Sequence, residues 1–261
     1  MKVSVIVLTW NGMDYVEACL QAVLAQAPPP LEVIVVDNAS TDGTPDLVAR
    51  RFPGVHVIRN KRNLGFSGGN NVGLRAATGD ILVLLNQDTQ VHRGFLSALA
   101  EAAAEPTVGL AGCKLLYPDG TIQHAGGYLH GPRGETVHVG RFEADDGRFG
   151  APTEPEFVTG AALGISRPAL AQIGLLDEGF TPAYYEDVDW CFRARAAGWR
   201  VVYVPGAVAT HHEAGSADLE SYYHILSGNY GRIRFLLKHW PIERLLDEFG
   251  PAEMDWAAAL P

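Results

Sequence analysis

Cysteine is scarce in this sequence. Its 261 residues include only Cys19, Cys113 and Cys191, and no two of them form a Cys-x-x-Cys pair. An odd and widely spaced set provides neither a disulfide framework nor a zinc site built on paired thiolates. The sequence therefore predicts a protein of a reducing compartment, and we expect it to be cytoplasmic.

Long apolar runs are also absent. The run Val3–Leu8 ends at Thr9-Trp10-Asn11, and no uninterrupted apolar stretch reaches the roughly 18 residues that a membrane-spanning helix needs. The first run is also too short for the core of a signal peptide. We therefore expect neither a leader peptide nor a membrane-spanning segment.

Basic residues are few. The chain has 20 Lys and Arg residues against 30 Asp and Glu residues, which gives a formal net charge of −10. A protein that binds duplex nucleic acid needs a basic face that neutralises phosphates. Nucleic acid is therefore not an expected partner. A small phosphate-bearing ligand is compatible with this charge, because a metal ion can neutralise it locally.

Two nucleotide-binding motifs are missing as well. No G-x-G-x-x-G follows the first strand-like run, and no G-x-x-x-x-G-K-[ST] occurs anywhere in the chain. These absences argue against a dinucleotide-dependent dehydrogenase and against a P-loop NTPase.

The chain does contain the pattern of an α/β domain. Hydrophobic residues make up 47% and charged residues 19%, which together with the length predicts one packed domain. Buried-strand patterns alternate with helical ones through the first ninety residues, which predicts a mostly parallel sheet with helices on both faces. The predicted strands are Val3–Leu8, Leu31–Val36, Val55–Ile58 and Ile81–Leu85. The predicted helices are Met13–Gln26, Thr44–Phe52 and one that follows an Asn/Gly-rich loop over 63–69 and ends at Gly79.

The second half of the chain has a less regular pattern. Residues 131–155 are rich in glycine, proline and charge, and we expect a mobile surface loop there that can act as a lid. The last forty residues look helical. Between them we predict a helix at about 94–104, strands around a Pro118-Asp119-Gly120 turn, a strand Phe157–Ser166, helices Pro168–Leu176 and Glu186–Ala197, and a strand Val201–Val204 that ends at Pro205.

Polar residues follow three of the predicted strands. Ligands of open parallel sheets bind beyond the carboxyl ends of the strands, so these side chains predict one binding crevice. They are Thr9, Trp10 and Asn11 after the first strand, Asp37, Asn38 and Ser40 after the second, and Asn86, Gln87 and Asp88 after the fourth. The alternative for Asp37 and Asn38 is a turn that caps its own backbone.

Two acidic positions are candidates for chemistry. Asp88 with one of the adjacent His211 and His212 would suffice for Mg²⁺ or Mn²⁺, which takes few protein ligands beside phosphate oxygens and water. Asp187, in the first turn of a predicted helix, is a candidate general base. The alternatives are a turn residue for Asp88, complementarity to the helix dipole for Asp187, and a surface pair of Asp189 with Arg193.

These segments, in this order, resemble glycosyltransferase family 2, and specifically its rhamnosyltransferase-like branch. The similarity runs from Val3 to about Ser216. It is carried by the segments Val5–Asn11, Val35–Thr44, Asn63–Phe66, Leu85–Thr89, Glu186–Asp189 and His211–Ser216.

The resemblance implies roles for individual residues. Asn86-Gln87-Asp88 stands where the family has its DxD motif, with Asn in place of the first Asp, so metal binding is transferred to Asp88 alone. His211 matches the family histidine, with His212 as the alternative. Asp187, beside Glu186, matches the catalytic base of inverting members. Nucleotide contacts are implied for Thr9, Trp10, Asn11, Asp37, Asn38, Asn63, Phe66, Asn70, Asn71, Asn86 and Gln87, and acceptor contacts for Gly160, Ala161 and Asp189.

The resemblance also implies the architecture and the reaction. We expect a GT-A fold, with a Rossmann-like, mostly parallel sheet and a smaller acceptor-side subregion. One domain would cover residues 1–216, divided into a nucleotide-sugar half (1–105) and an acceptor half (106–216), with a helical tail over 217–261. The expected activity is inverting, Mg²⁺- or Mn²⁺-dependent transfer of rhamnose or a related sugar from a dTDP- or UDP-sugar to a glycan or lipid-linked acceptor in surface polysaccharide synthesis.

Alternatives to this function remain open at this level. A nucleotidyltransferase would also need a nucleotide crevice and metal carboxylates, and a non-catalytic sugar-nucleotide-binding module would need only the crevice. Residues 221–240 contain apolar residues and three Lys and Arg residues but no acid. They are either an amphipathic helix that contacts the inner face of a membrane or a helix packed on the core. The sequence leaves the oligomeric state open.

Overall fold

The computed structural model describes residues 1–213 and 222–259, with side chains described from residue 226 onward in the second range. Strands and helices alternate through the first part of the chain. They are β1 (Val3–Thr9), α1 (Val16–Leu24), β2 (Glu32–Asp37), α2 (Thr44–Arg51), β3 (His56–Arg59), α3 (Gly65–Ala76) and β4 (Ile81–Asn86). The four predicted strands and three predicted helices of this region are confirmed, with shifted ends.

Most of the strands of the second part are short. The elements are β5 (Thr89–Val91), α4 (Phe95–Ala103), β6 (Val108–Leu116), β7 (Ile122–His124), β8 (Gly127–His130), β9 (Glu135–His138), β10 (Ala162–Ser166), α5 (Arg167–Ile173), α6 (Glu186–Ala196) and β11 (Arg200–His211). The helical C-terminal region contains α7 (Tyr222–His239), α8 (Ile242–Arg244), a π-helical turn (Leu245–Phe249) and α9 (Gly250–Ala258).

One large sheet organises the chain. Its strand order is β3-β2-β1-β4-β10-β6-β11-β5, with β7 paired to β6 outside this path. Strands β1 to β4 are parallel, whereas β10 runs antiparallel to both β4 and β6. The sheet therefore passes through both predicted halves of the domain. The division at residue 105 stays a prediction, and the boundary at Ser216 lies outside the described residues.

Helices cover both faces of this sheet, as predicted. Alternate residues of β1 point to opposite sides: Val5 and Val7 belong to a core under α1 and α4, and Ile6 belongs to a second core under α3 and α6. Because both faces are buried, the central strands are mostly apolar, and this nearly continuous pattern made them predictable from the sequence.

The predicted Asn/Gly-rich loop over 63–69 is largely wrong, because α3 already begins at Gly65. The glycines serve close packing. A Cβ at Gly69 would lie 2.4 Å from Leu8 Cδ1, and one at Gly73 would lie 2.4 Å from Ile6 Cγ2. The helix also ends at Ala76 and not at Gly79. Glycine lets α3 approach β1 closely, which positions the start of α3 beside the carboxyl end of β1.

Three predictions in the second half also need correction. Residues 131–155 are not one loop, since β9 pairs with β8 in a two-stranded hairpin. The strand predicted over 157–166 is regular only from Ala162. Strand β11 does not stop at Pro205, because a register shift between Val204 and Val208 absorbs the proline and the pairing with β6 resumes. This continuation carries the chain to His211.

No helix within residues 1–213 and 222–259 is both long enough and apolar enough to cross a bilayer.

Candidate functional site

The carboxyl ends of β1, β2 and β4 lie level at one edge of the sheet. Thr9 is paired with Asp37 across the β1–β2 ladder, and Leu8 is paired with Asn86 across the β1–β4 ladder. The polar residues that follow these strands are therefore neighbours, as the strand pattern predicted. This edge is the candidate site.

Asp37 and Thr9 provide unused polar atoms at this edge. Both residues are buried. Asp37 Oδ2 accepts the Ser40 N–H at 3.1 Å, while no hydrogen-bond partner is present for Asp37 Oδ1 or Thr9 Oγ1 among the described residues. Buried polar atoms are normally paired, so these two are suited to a ligand with N–H or O–H donors, such as a base or a ribose.

The loop after β1 is held tightly at its backbone. The Gln87 side chain accepts the Trp10 N–H at 3.0 Å and donates to the Trp10 carbonyl at 3.1 Å. Asn11 adopts φ +48°, its N–H donates to Ser40 Oγ, and its Oδ1 accepts the Thr41 N–H. The Trp10 side chain remains 43% exposed, so a rigid loop presents an aromatic ring at the edge of the crevice.

Asn38 and Asn63 form part of the crevice wall. The Asn38 amide donates to Asn63 Oδ1 and to the Gly65 carbonyl, both at 3.0 Å, and its oxygen accepts from Asn60 and from the Leu64 N–H. Internal partners thus occupy both ends of the amide. Asn38 supports the loop that leads into α3, and a nucleotide contact through its side chain would have to replace one of these bonds.

The two asparagines of α3 differ in what they leave available. Asn70 donates to the Phe66 carbonyl, and its Oδ1 has no partner among the described residues. The Asn71 amide instead donates to the Leu176 carbonyl and to Glu178, and its oxygen accepts the Leu176 N–H. Asn71 therefore ties α3 to the segment before α6, while Asn70 retains a free acceptor.

Asp88 and His211 are brought together by strand pairing. β5 pairs antiparallel with β11, so that Thr89 lies opposite His211. Asp88 Oδ1 is 3.2 Å from His211 Nε2, and both residues are more than 90% buried. Asn86 Nδ2 lies 3.5 Å from the same nitrogen. Two candidate metal ligands separated by more than 120 positions thus meet at the sheet edge.

The His211 and Asp88 pair fits a divalent cation that also binds phosphate. His211 Nδ1 lies 2.7 Å from Gln123 Oε1, which leaves Nε2 facing the carboxylate. No cluster of three or more His, Cys, Asp or Glu residues suited to a metal occurs in the described part of the chain. Mg²⁺ and Mn²⁺ accept such a sparse set, because diphosphate oxygens and water complete their shell.

His212 is placed differently from His211. Its ring lies 5.6 Å from the ring of Tyr15, and only its backbone N–H reaches Asp88, where it donates to the carbonyl at 3.0 Å. Successive residues of an extended chain point to opposite sides. Of the two histidines, the structure brings the His211 side chain to Asp88.

Asp187 lies beside the same edge. Its Oδ2 accepts the Gly160 N–H at 2.8 Å, and a Cβ at Gly160 would lie 2.9 Å from the Phe66 ring and 3.4 Å from Asp187 Cβ. The neighbouring Ala161 carbonyl accepts the Asn86 N–H at 2.9 Å. A short run of backbone, 160–161, therefore connects the candidate base to the strand end that carries the candidate metal ligand.

Burial changes the acidity of both carboxyl groups at the start of α6. It raises the pKa of Asp187, and the N–H groups of Gly160 and Val188 offset part of this rise. It raises the pKa of Glu186 well above the usual range, and the neighbouring Asp187 raises it further. Two side chains whose pKa values shift in this way are suited to holding and accepting protons.

The backbone that leads into α6 is strained. Tyr184 and Tyr185 have φ values of +82° and +69°, a region that residues other than glycine rarely adopt. Consecutive residues of this kind persist where the surroundings enforce them, and they occur preferentially at functional sites. The strain places Glu186 and Asp187 at the first turn of the helix, next to Gly160.

Asp189 does not reach the crevice that was predicted to hold the acceptor. Its side chain is 0% exposed and accepts from Arg193 at 2.8 Å, Lys238 at 2.7 Å and His239 at 2.8 Å. Burial alone would raise its pKa, but the hydrogen bonds from these three side chains lower it overall. The surface pair with Arg193 is also an incomplete description, because Asp189 anchors α7 to α6.

Sequence reasoning missed Gln123. It lies on β7 and contacts His211 across 88 positions of the chain. In the sequence Gln123 is a single polar residue between Ile122 and His124, and no motif spacing relates it to His211.

The sheet, the crevice at the carboxyl ends of β1, β2 and β4, and the paired Asp88 and His211 define a glycosyltransferase of the GT-A fold. The mannosyltransferase PcManGT from Pyrobaculum calidifontis superposes with a TM-score of 0.62 and 25% identity, over 82% of this chain and 58% of that one. A model of the family described as glycosyl transferase family 2 matches residues 4–174. The chain belongs to this family.

Two relatives show the range of proteins in which such a chain occurs. N-acetylglucosaminyl-diphospho-decaprenol L-rhamnosyltransferase of Mycobacterium tuberculosis is 29% identical over 259 residues, which cover 89% of this chain and 83% of that protein. The O-antigen biosynthesis protein RfbC of Myxococcus xanthus is 31% identical over 228 residues, which cover 82% of this chain but only 18% of that protein. Much larger proteins can therefore contain a region of this kind.

Proposed function

We propose that this chain is an inverting, metal-dependent glycosyltransferase. It would transfer a sugar, rhamnose or a related one, from a dTDP- or UDP-sugar to a hydroxyl group of a glycan or lipid-linked acceptor in surface polysaccharide synthesis. The observation that carries the proposal is that the candidate metal ligands and the candidate base lie at one edge of the sheet. Asp88 and His211 lie 3.2 Å apart, and Asp187 is joined to that edge through the Gly160 N–H.

Asp88 Oδ1 and His211 Nε2 are the atoms that would hold the divalent cation. A bound cation would neutralise the diphosphate and make it a better leaving group. The mannosyltransferase structure contains GDP-Man and Mn²⁺, which supports a cation in the proposal for this chain. The protein's own part is to keep the two ligands rigid, and their burial and the β5–β11 pairing do so.

Thr9, Asp37 and Trp10 would bind the nucleoside. The free Oδ1 of Asp37 is placed to accept from a base or ribose donor, and the half-exposed Trp10 ring offers a stacking surface. Asn70 Oδ1 adds a further free acceptor on α3. The clamp of Gln87 on the Trp10 backbone holds the loop in place before the ligand arrives, which reduces the entropy lost on binding.

Asp187 would accept the proton of the acceptor hydroxyl. Its Oδ2 accepts the Gly160 N–H and its Oδ1 accepts the Val188 N–H, and these bonds hold the carboxylate in place. Attack by that hydroxyl on the anomeric carbon, opposite the departing diphosphate, inverts the configuration. The raised pKa of Asp187 makes the carboxylate a stronger base than an exposed aspartate.

The choice of substrates rests on the relatives. The mycobacterial relative is named for rhamnose transfer to a decaprenol-linked acceptor, and the myxobacterial one for O-antigen biosynthesis. Both names support a polysaccharide or lipid-linked acceptor for this chain. Membership of the family favours sugar transfer over nucleotidyl transfer. A module that only binds the sugar nucleotide would not need a buried carboxylate beside the crevice.

Calorimetric titration with dTDP, UDP and GDP, each with Mn²⁺ or with a chelator, tests the donor class. We expect one nucleotide to bind with Mn²⁺ and to bind much more weakly with the chelator. In Asp88→Ala the Mn²⁺-dependent part should disappear. This loss should exceed the roughly 10–100-fold effect of removing an outer-shell partner, because Asp88 would be a direct ligand.

Asp46→Ala is the matched control for this titration, since Asp46 is an exposed acid on α2 that pairs with Arg59. It should bind nucleotide like the wild type. Equal wild-type affinity with Mn²⁺ and with chelator would contradict the metal assignment. Absence of binding to all three nucleotides would contradict the proposed donor class.

We also propose a peripheral contact of α7 with the inner face of a membrane. Phe235 and Leu236 of α7 are fully buried in the core, so the helix packs on the domain. The opposite side exposes apolar residues at helical spacing, namely Leu226, Tyr230, Ile233 and Leu237. Such a stripe beside a lipid-linked acceptor is suited to the membrane interface. Residue 221 of the predicted segment lies outside the described residues.

Vesicle flotation tests this contact. We expect the wild type to float with anionic vesicles and Leu237→Glu to remain in the soluble fraction, because a charge at the most exposed position of the stripe, 64% exposed, opposes insertion. Met254→Glu, on α9 and similarly exposed, is the control and should float. A wild type that does not bind anionic vesicles would rule out the contact.

A further inference from the structure

We infer that Gln123 is a positioning residue that sets the tautomer of His211 and thereby keeps the metal site open. By accepting the Nδ1 proton, Gln123 directs the lone pair of Nε2 toward Asp88, ready for a divalent cation. The inference rests on the metal site of the proposed function.

The hydrogen bond between the two side chains sets the direction. Gln123 Oε1 lies 2.7 Å from His211 Nδ1, in a buried contact. An amide oxygen only accepts, so Nδ1 must carry the proton. A neutral imidazole has one N–H, and Nε2 is then an acceptor that faces Asp88 Oδ1 at 3.2 Å.

In this tautomer Nε2 and Asp88 Oδ1 face each other as two acceptors, and the nearby donor, Asn86 Nδ2, is a long 3.5 Å from Nε2. A cation between the two acceptors would relieve this conflict. The other tautomer would remove the conflict, because an Nε2–H would donate to Asp88 Oδ1. That bond would satisfy both groups and leave no lone pair for a metal. By favouring the Nδ1–H form, Gln123 prevents a hydrogen bond between His211 Nε2 and Asp88 that would occupy both metal ligands. Partners of this kind orient metal-bound histidines generally.

The backbone of β7 is shaped to present Gln123. Leu115 of β6 pairs with His124 and the adjacent Leu116 pairs with Ile122, so Gln123 is the extra residue of a register shift. Such a bulge reorients one side chain, and bulges are frequent next to active sites. Gln123 leaves the alternation of the strand and is directed to the end of β11.

The contact with His211 is the one interaction of the buried Gln123 side chain that the described part of the chain shows. The residue is 4% exposed, and its Nε2 has no hydrogen-bond partner among the described residues. An amide with one unsatisfied end is an unfavourable choice for a site that requires only packing, where an apolar residue like its neighbour Ile122 would serve better. The contact with His211 accounts for a glutamine at this position.

The experiment combines NMR of ¹⁵N-histidine with Mn²⁺ binding, both on the full chain. In the metal-free wild type, with the His211 signal assigned by its loss in His211→Asn, we expect the Nδ1–H tautomer. In Gln123→Leu we expect the Nε2–H tautomer and an Mn²⁺ affinity, measured with the nucleotide that binds, about 10–100-fold weaker. Gln123→Glu keeps the acceptor and should retain both the tautomer and the affinity.

Gln26→Leu is the control, because Gln26 is another buried glutamine whose amide donates to the carbonyls of Ala22 and His92. It should leave the His211 tautomer and Mn²⁺ binding unchanged. A wild-type Nε2–H tautomer, or unchanged Mn²⁺ affinity in Gln123→Leu, would overturn the inference while the metal site stands. A wild type that does not bind Mn²⁺ would overturn the proposed metal dependence and the inference with it.

Discussion

Replacing Asp187 with asparagine is expected to lower the rate of sugar transfer by about 10²–10⁴-fold, the contribution of a general base. An amide cannot take the proton of the acceptor hydroxyl. Asparagine has nearly the same shape and keeps one oxygen for a backbone N–H, so the start of α6 should hold its place. Nucleotide affinity should stay close to that of the wild type, since the nucleoside contacts come from β1, β2 and α3.

Transfer from the nucleotide sugar that calorimetry selects, followed by nucleotide release, is the measurement. Asp46→Asn, the same change at an exposed helix position, should leave the rate unaltered. Thermal unfolding of both variants separates a lost base from a disturbed fold. Full activity of Asp187→Asn would remove Asp187 from the role of base.

The pH dependence provides a second readout of the same group. Only the carboxylate form of Asp187 accepts a proton, and burial raises its pKa above the ordinary value. The wild-type rate should therefore fall as the pH drops through this raised pKa, at a higher pH than an exposed aspartate would cause. This acid limb should be absent from the residual activity of Asp187→Asn.

Replacing Asp189 with alanine is expected to lower the free energy of unfolding by about 3 kcal/mol, at the lower end of the range for breaking a buried ion pair. The carboxylate is fully enclosed and faces Arg193, Lys238 and His239. Its removal leaves three cationic or protonatable groups without their shared partner. Because these side chains are partly exposed, water can take over part of the lost interaction.

Urea unfolding at neutral pH measures this effect, and Asp46→Ala is the matched control. Asp46 also pairs with a cationic side chain, that of Arg59, but its own side chain is 72% exposed, so its loss should cost about 1 kcal/mol or less. Asp189 has a lowered pKa, so its stabilisation is present above the ordinary pKa of aspartate and is lost as the pH falls through the lowered value. Equal effects of the two substitutions would contradict the anchoring role.

The Asp189 anchor shows which contacts of a predicted site residue the sequence could not indicate. Asp189 and Arg193 are one helical turn apart, and this spacing alone indicated a pair. Lys238 and His239 belong to α7, about fifty positions later, and no local pattern relates them to Asp189. A carboxylate that looked free for the acceptor is therefore buried between two helices.

The glycines of α3 and the proline of β11 illustrate the same limit. Glycine and proline usually interrupt regular structure, so the segment 63–69 was predicted to be a loop and the strand Val201–Val204 was predicted to end at Pro205. Packing overrides these preferences: α3 needs Gly69 and Gly73 to approach β1, and pairing with β6 resumes beyond Pro205. Without that continuation His211 would not reach Asp88.

Local patterns along the chain were enough to predict the alternating strands and helices, their burial on both faces of a sheet, and the polar residues at three strand ends. These features depend on the local order of apolar and polar residues, and that order is readable along the chain. The folded chain was needed to show that the His211 side chain meets Asp88, that Gln123 contacts the other nitrogen of its ring, and that Asp189 anchors α7. Those contacts join residues 50 to more than 120 positions apart, and they are set by strand register and helix packing, which depend on the whole chain.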